Sequence, residues 1–185
     1  RSAGIPINIR NTNRPEDSGT MIVSSTKHYD TERVITGIAG KKGFSVINIE
    51  KDMMNAEVGF GRKVLEILEV NGISFEHLPS GIDTMSVVTA TAALEGKRER
   101  ILQAICRTVS PDSVTIEDDM ALVAVVGRGM VKAKGTAARV FDALAAKGIN
   151  IRMIDQGSSE MNIIIGVDAN DYITALNAIY NEFMK

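Results

Sequence analysis

Apolar positions along this chain recur at two spacings, and the switch from one to the other marks out its elements. Val46-Ile47-Asn48-Ile49 is a β-rich run. Phe60, Val64, Ile67 and Leu68 then recur at i, i+4, i+7 and i+8, the stripe of an amphipathic helix. Gly72 follows the last apolar turn, where glycine permits a left-handed cap, and Ile73-Ser74-Phe75 re-enters as a strand. Pro79-Ser80-Gly81-Ile82-Asp83 predicts a turn, and residues 85–90 another strand. A charged helix from about Lys97 places Ile101, Leu102 and Ile105 on one face, and Ser113-Val114-Thr115-Ile116 closes the series as βαββαβ.

The pattern then begins again. Residues 44–87 laid over 120–163, a constant offset of 76, need no gap. Met54 falls on Met130, Gly59 on Gly135, Val64 on Val140, Leu68 on Leu144, Gly72 on Gly148, Gly81 on Gly157 and Met85 on Met161. Glycines at three breaks and the helical stripe therefore coincide, which defines an internal repeat. The second copy predicts strands at 121–126, 149–154 and 162–167, a helix at 137–146, and a last helix carrying Tyr172, Ala175, Leu176, Ile179, Tyr180 and Phe183. Its final strand is missing, while Val34-Ile35-Thr36-Gly37-Ile38-Ala39 is an orphan β-rich segment upstream of the first copy. The orphan is expected to complete the second sheet, so that a first module at 43–118 is inserted into a second built from 31–42 and 119–185. The alternative is a simple linker strand.

Composition narrows the field. The 185 residues are 44% hydrophobic and 24% charged with four prolines, a balance that predicts a packed core and accommodates two modules of about 70 residues. Lys plus Arg number 21 against 23 Asp plus Glu, which provides no overall positive field for nucleic acid or an anionic membrane. No apolar run approaches the roughly 20 residues of a bilayer span, and Arg1-Ser2-Ala3-Gly4 lacks a secretory signal, so a reducing cytoplasmic setting is expected. One cysteine, Cys106, excludes a disulfide framework or a Cys-x-x-Cys metal pair, and it reads as a buried small hydrophobe beside Ile105.

Recognisable catalytic chemistry is absent. Gly59-Phe60-Gly61 and Gly127-Arg128-Gly129 lie between a strand and a helix but lack the spacing of a nucleotide loop. His28 and His77 share no triad or metal spacing and read as surface or packed histidines. Glu50, Asp52, Glu57, Glu117, Asp118 and Asp119 read as solvated edges. A βαββαβ fold can bind RNA by stacking bases on central-strand aromatics. Aromatics are only 4% of residues here, and the expected central strands carry only Phe44. A sensing or assembly role is left.

The duplicated unit, with glycine at each first-helix start, resembles the ACT domain, a module that binds amino acids. Three stretches resemble one family, the aspartate kinases. Ile5-Pro6-Ile7-Asn8-Ile9-Arg10-Asn11-Thr12 with Arg14-Pro15-Glu16-Asp17-Ser18-Gly19-Thr20 is similar to the segment closing their kinase domain. Val34-Ile35-Thr36-Gly37-Ile38-Ala39 resembles the strand opening their regulatory region. Gly127-Arg128-Gly129-Met130, Gly135-Thr136-Ala137-Ala138-Arg139-Val140-Phe141, Gly148-Ile149-Asn150-Ile151 and Ser158-Ser159-Glu160-Met161-Asn162-Ile163 match their second ACT module. The implied fold is α+β, two ferredoxin-like βαββαβ modules with the first inserted into the second, and residues 1–30 as the tail of the kinase domain and a linker. The family's Lys-Phe-Gly-Gly-Thr-Ser nucleotide motif is absent, so the chain is expected to be inactive alone. It then needs no cofactor of its own and no metal, ATP and Mg belonging to the kinase domain. Its start inside the kinase-closing segment favours a fragment of a longer enzyme over a separate regulatory subunit.

The resemblance also implies a site. In lysine-inhibited members, Met54, Gly59, Phe60, Gly61, Ser74, Phe75 and Glu76 align with the effector pocket of the first module. Unpaired N–H groups at the first-helix start suit a carboxylate, and Glu76 suits an ammonium, with Asp83 a second candidate if its hairpin folds back. In the second module Arg152 replaces Glu76. Met130, Gly135, Thr136, Ala137, Asn150, Ile151, Asp155 and Gln156 there hold a smaller amino acid such as threonine, or the module serves only to pair. The partners implied are lysine, threonine or both, a second copy as homodimer, and the kinase domain of the same enzyme. A stand-alone ACT regulator of another protein and a silent dimerisation module are the alternatives.

Overall fold

The computed structural model describes residues 4–23 and 34–184. The chain divides into two units, Arg1–Glu32 and Arg33–Lys185. In the first, β1 (Ile7–Ile9) pairs antiparallel with β2 (Thr20–Ile22), Ile7 opposite Ile22. Arg10 holds the intervening turn by donating to the carbonyls of Pro15 and Asp17. His28 lies outside the described residues.

The second unit is one five-stranded antiparallel sheet in the order β4-β3-β5-β7-β6. It comprises β3 (Gly37–Glu50), α1 (Phe60–Val70), β4 (Thr84–Ala90), α2 (Arg98–Val109), β5 (Ser113–Val126), α3 (Thr136–Ala145), β6 (Ile151–Asp155), β7 (Asn162–Asp168) and α4 (Tyr172–Phe183). The orphan segment and the first predicted strand are one continuous strand, β3, and residues 113–116 and 121–126 are likewise fused in β5. Gly37 pairs with Val126 and Glu50 with Ser113, so each long strand serves two half-sheets. Residues 37–42 complete the sheet of β7 and β6, and residues 113–117 that of β4.

Each long strand carries a left-handed residue near its middle: Gly43 at φ 89° in β3 and Asp119 at φ 57° in β5. These positions are repeat equivalents, and pairing shifts register beside Gly43. Strand alternation sends Ile47 and Ile49 into a core with Val64, Leu68, Ile101 and Ile105 of α1 and α2. On the other side of the bend, Ala121, Val123 and Val125 join Val140, Leu144, Ala175 and Ile179 of α3 and α4. The remaining faces meet in a third cluster of Phe44, Val46, Val88, Met120, Leu122 and Met153. Phe44 pairs directly with its own repeat equivalent, Met120, so an approximate two-fold axis runs between them. Side chains of this size contribute about 1.5–3 kcal/mol each on full burial, which makes the seam a structural term of its own.

Four expectations need correcting. The repeat is not ungapped: Ile49 lies opposite Met85, while its equivalent Val125 lies opposite Ile163, so the hairpin after β6 holds two more residues than the one before β4. Buried Ile163, and not exposed Met161, takes the place of buried Met85. Ile73-Ser74-Phe75 forms no regular strand; the chain reaches β4 only through isolated bridges from His77 to Val88 and from Ser80 to Met85. Cys106 is exposed, because α2 buries Ile101, Ile105 and Val109 and the cysteine lies about 100° round the helix from Ile105.

The acidic runs are also more than solvated edges. Asp118 takes a two-pronged ion pair from Arg98 at 2.7 and 2.9 Å and a hydrogen bond from buried Ser45. Those bonds, from Arg98 first and Ser45 second, hold its carboxyl below the ordinary 3.8. A depressed carboxyl adds stability above its unfolded pKa and loses it as pH falls through the folded value. Asp118→Asn is therefore expected to be less stable than wild type at pH 7, with the gap in urea midpoint closing below pH 3.8. At the bends, Gly43→Ala is expected to cost about 1–2 kcal/mol in urea unfolding, while Asp119→Gly stays within about 1 kcal/mol of wild type, because only the first forces a new side chain into left-handed backbone.

Candidate functional site

In the first module the chain from β3 to α1 passes through a 3-10 turn at Met54–Ala56 and enters the helix at Gly59, whose φ of 83° suits a residue without Cβ. Gly59 provides no side-chain cap, so the first amides of α1 carry no side-chain acceptor at that position. Met54 and Phe60 are buried beside Met85, and a Cβ on Gly61 would stand 3.8 Å from Met85 Cε. The 79–84 hairpin folds back here as the Asp83 expectation required: Asp83 Oδ1 accepts from Met53 N at 3.0 Å, and Ile82 O accepts from Asn55 N at 3.1 Å.

Glu57 clamps this loop. Its carboxylate takes Lys51 and Lys63 at 2.6 Å each, and Lys51 also donates to Val109 O and lies 5.8 Å from the Phe60 ring centroid. The hydrogen bonds from Lys51 and then Lys63 hold the Glu57 carboxyl below its usual range. The expectation that Glu57 is a solvated edge is thus corrected, and its lysines carry no signal of their own, since a Lys-x5-Glu-x5-Lys spacing has no signature.

Met54, Gly59, Phe60, Gly61 and Asp83 are thus assembled at one end of α1. Ser74, Phe75 and Glu76 lie further along β4: Thr89 Oγ1 donates to Ser74 O at 2.7 Å, and Glu76 N donates to Val88 O at 2.8 Å. Val88 is three residues from Met85, a step of roughly 10 Å along a strand. Phe75 and Glu76 are exposed, and the Glu76 carboxylate has no hydrogen-bond or ion-pair partner among the described residues.

The second module repeats the frame with different chemistry. Gly135 enters α3 at φ 84°, Met130 and Thr136 are buried, and Thr136 Oγ1 donates to Ala133 O at 2.8 Å. Ala137 packs on the core, Ile151 is half-buried, and Asn150 and Gln156 are exposed. Arg152, the equivalent of Glu76, is already engaged: it meets Glu117 at 2.9 Å and donates to the carbonyl of Asp118 at 3.1 Å. Asp155 does not stand free either, since its Oδ2 lies 2.6 Å from His77 Nδ1 of the first module.

Between the modules a cavity of about 480 Å³ is lined by Val46, Val88, Pro79, Met120, Met153 and Arg152 among others. Its polar wall is self-satisfied: Ser86 donates to Asn48, Asn48 to Glu117, and Arg152 to Glu117. Among the described residues no group of three or more His, Cys, Asp or Glu side chains can hold a metal ion, and no helix is long and apolar enough to cross a membrane.

Comparison with known proteins places this architecture. A family model described as ACT domain matches residues 123–183. Aspartokinase 3 of Bacillus subtilis is 42% identical over 182 residues, covering 98% of this chain and 40% of its own length. The crystal structure of Clostridium acetobutylicum aspartate kinase, described as an allosteric enzyme, superposes with a TM-score of 0.92 at 54% identity, over 98% of this chain and 42% of that one. E. coli aspartokinase III, crystallised with lysine and aspartate in its T-state, shares the fold with a TM-score of 0.74 at 22% identity, over all of this chain and 40% of that one. The chain thus spans about 40% of the length of these relatives. Over 98% of its length the chain matches these aspartate kinases, and it corresponds to their ACT-containing regulatory region.

Proposed function

We propose that this chain, organised as a module at 43–118 inserted into one at 31–42 and 119–185, gives feedback control of an aspartate kinase by binding lysine in the first module. The kinase phosphorylates aspartate with ATP, the entry to lysine, threonine and methionine biosynthesis, and the regulatory regions pair as homodimers. The observation that carries the choice of module is the contrast between Glu76 and Arg152. Glu76 has a carboxylate with no described partner, while Arg152 at the equivalent position is tied to Glu117.

Length supports lysine over threonine. The uncapped start of α1 suits the α-carboxylate, and the Glu76 level lies roughly 10 Å along the sheet from Met85. An extended lysine, built from bonds of about 1.5 Å, carries its two charged ends roughly 7–8 Å apart, so hydrogen bonds at each end bridge that span. Threonine has both charges on one carbon and reaches only one of them. The co-crystallisation of E. coli aspartokinase III with lysine agrees with this reading. The effector regulates only if it binds one arrangement of the modules more tightly than another.

Isothermal titration of the chain with lysine, threonine and methionine tests the proposal. Lysine is expected to bind, and Glu76→Ala to weaken it about 10- to 100-fold, the equivalent of a charge-assisted bond of about 1.5–3 kcal/mol. Arg152→Ala is expected to leave lysine affinity unchanged. Threonine binding alone, or lysine affinity indifferent to Glu76→Ala, would reject the assignment.

A further inference from the structure

We propose that the His77 and Asp155 pair is a positioning contact that carries effector binding from the first module into the second; the inference rests on the first-module effector site proposed above. Nothing in the βαββαβ frame requires this bond. His77 Nδ1 lies 2.6 Å from Asp155 Oδ2, with the side chains 21% and 38% exposed, so the pair is half out of water and screened less than a surface pair. At that distance the imidazole Nδ1 donates its proton to the carboxylate in the neutral Nδ1–H tautomer and in the cation alike.

Each partner stands next to candidate effector residues. His77 directly follows Ser74-Phe75-Glu76, and Asp155 directly precedes Gln156. The first segment cannot shift alone, because Glu76 N donates to Val88 O at 2.8 Å and Val88 N to His77 O at 2.9 Å. Val88 is fully buried and belongs to the apolar seam with Met120, Leu122 and Met153. A ligand that draws in Glu76 therefore pulls on a backbone stitched to the seam and on a side chain bonded across it.

The approximate two-fold axis sharpens the point. Met153 is the repeat equivalent of His77, and Asp155 is that of Pro79. The symmetry mate of the His77 to Asp155 contact is thus Met153 against Pro79, and both of those residues line the 480 Å³ cavity. On one side of the axis the modules are joined by the His77 to Asp155 hydrogen bond, and on the other Met153 and Pro79 line a cavity whose wall carries the Arg152 to Glu117 ion pair. The two edges are therefore held by different contacts, and a change at His77 acts on the first without touching the second. Coupling of this kind is reciprocal, so loss of the Asp155 end of the bond feeds back on lysine affinity.

The test combines lysine calorimetry with hydrogen exchange at residues 150–156, in wild type, His77→Ala, His77→Asn, Asp155→Ala and the His77→Ala, Asp155→Ala double variant. Lysine is expected to slow exchange at 150–156 in wild type and in His77→Asn, whose amide keeps a donor near the Nδ1 position. His77→Ala and Asp155→Ala are expected to lose that protection and to bind lysine about tenfold more weakly, the double variant no worse than either. Protection of 150–156 that survives in both single variants, or wild-type protection confined to 74–76, overturns the coupling while leaving the effector site standing. Absence of lysine heat in wild type overturns the effector site and the coupling with it.

Discussion

Two long strands that turn over at their midpoints carry the whole regulatory unit. Gly43 and Asp119 hold left-handed backbone at equivalent positions of β3 and β5, and each half-strand beyond the turn offers its apolar residues to a different pair of helices. In an uninterrupted strand Ile116 and Ala121 would point to opposite faces; the irregularity shifts the alternation by one, so that both helix layers cover the same face. With it, the uncovered faces come together, and Phe44 sits against its own counterpart Met120. The seam, the cavity beside it and the His77 bond all follow from that geometry.

The same geometry explains why two similar modules have different chemistry. Around an exact two-fold axis the residues at 76 and 152 would share one fate, yet one is an acid without a partner and the other a base held by Glu117. Duplication supplies two frames, and substitution at a single position leaves one open to a cation and fills the other from within. The Glu57 clamp belongs only to the first frame: the repeat places Ala133 at the position of Glu57 and Gly127 at that of Lys51. In the first frame that clamp and the Asp83 bond to Met53 tie down the loop that carries Met54 and Gly59.

Much of this was legible in the residues because repetition and periodicity are local properties. The helical stripes, the glycines entering α1 and α3, and the strand absent after α4 follow from spacing alone. The continuity of β3 and β5 was harder to see, because Lys41, Lys42 and Gly43 interrupt the apolar pattern as a linker would, and an aspartate at 119 disguises a conformation usually marked by glycine. The two-residue slip before β7 was masked by Gly157 and Met161, which imitate Gly81 and Met85 in identity while occupying a longer hairpin. The bonds from Arg98 to Asp118 and from His77 to Asp155 join residues far apart in sequence, and only the packed seam brings them into reach. Cys106 was misplaced by one helical step, for which an apolar neighbour is poor evidence.

The sharing of strands also sets the order in which the chain can be completed during synthesis. Gly37 is made early but finds its partner only when Val126 emerges, after the entire first module has been translated. The first module has all of its own strands by then and can close over α1 and α2, whereas residues 37–42 remain an unpaired edge until β5 is finished. Loop-closure entropy for that late pairing is reduced by the folded module itself, which brings the two ends of the insertion together before the second sheet exists. The inserted module is in this sense the template on which its host is assembled.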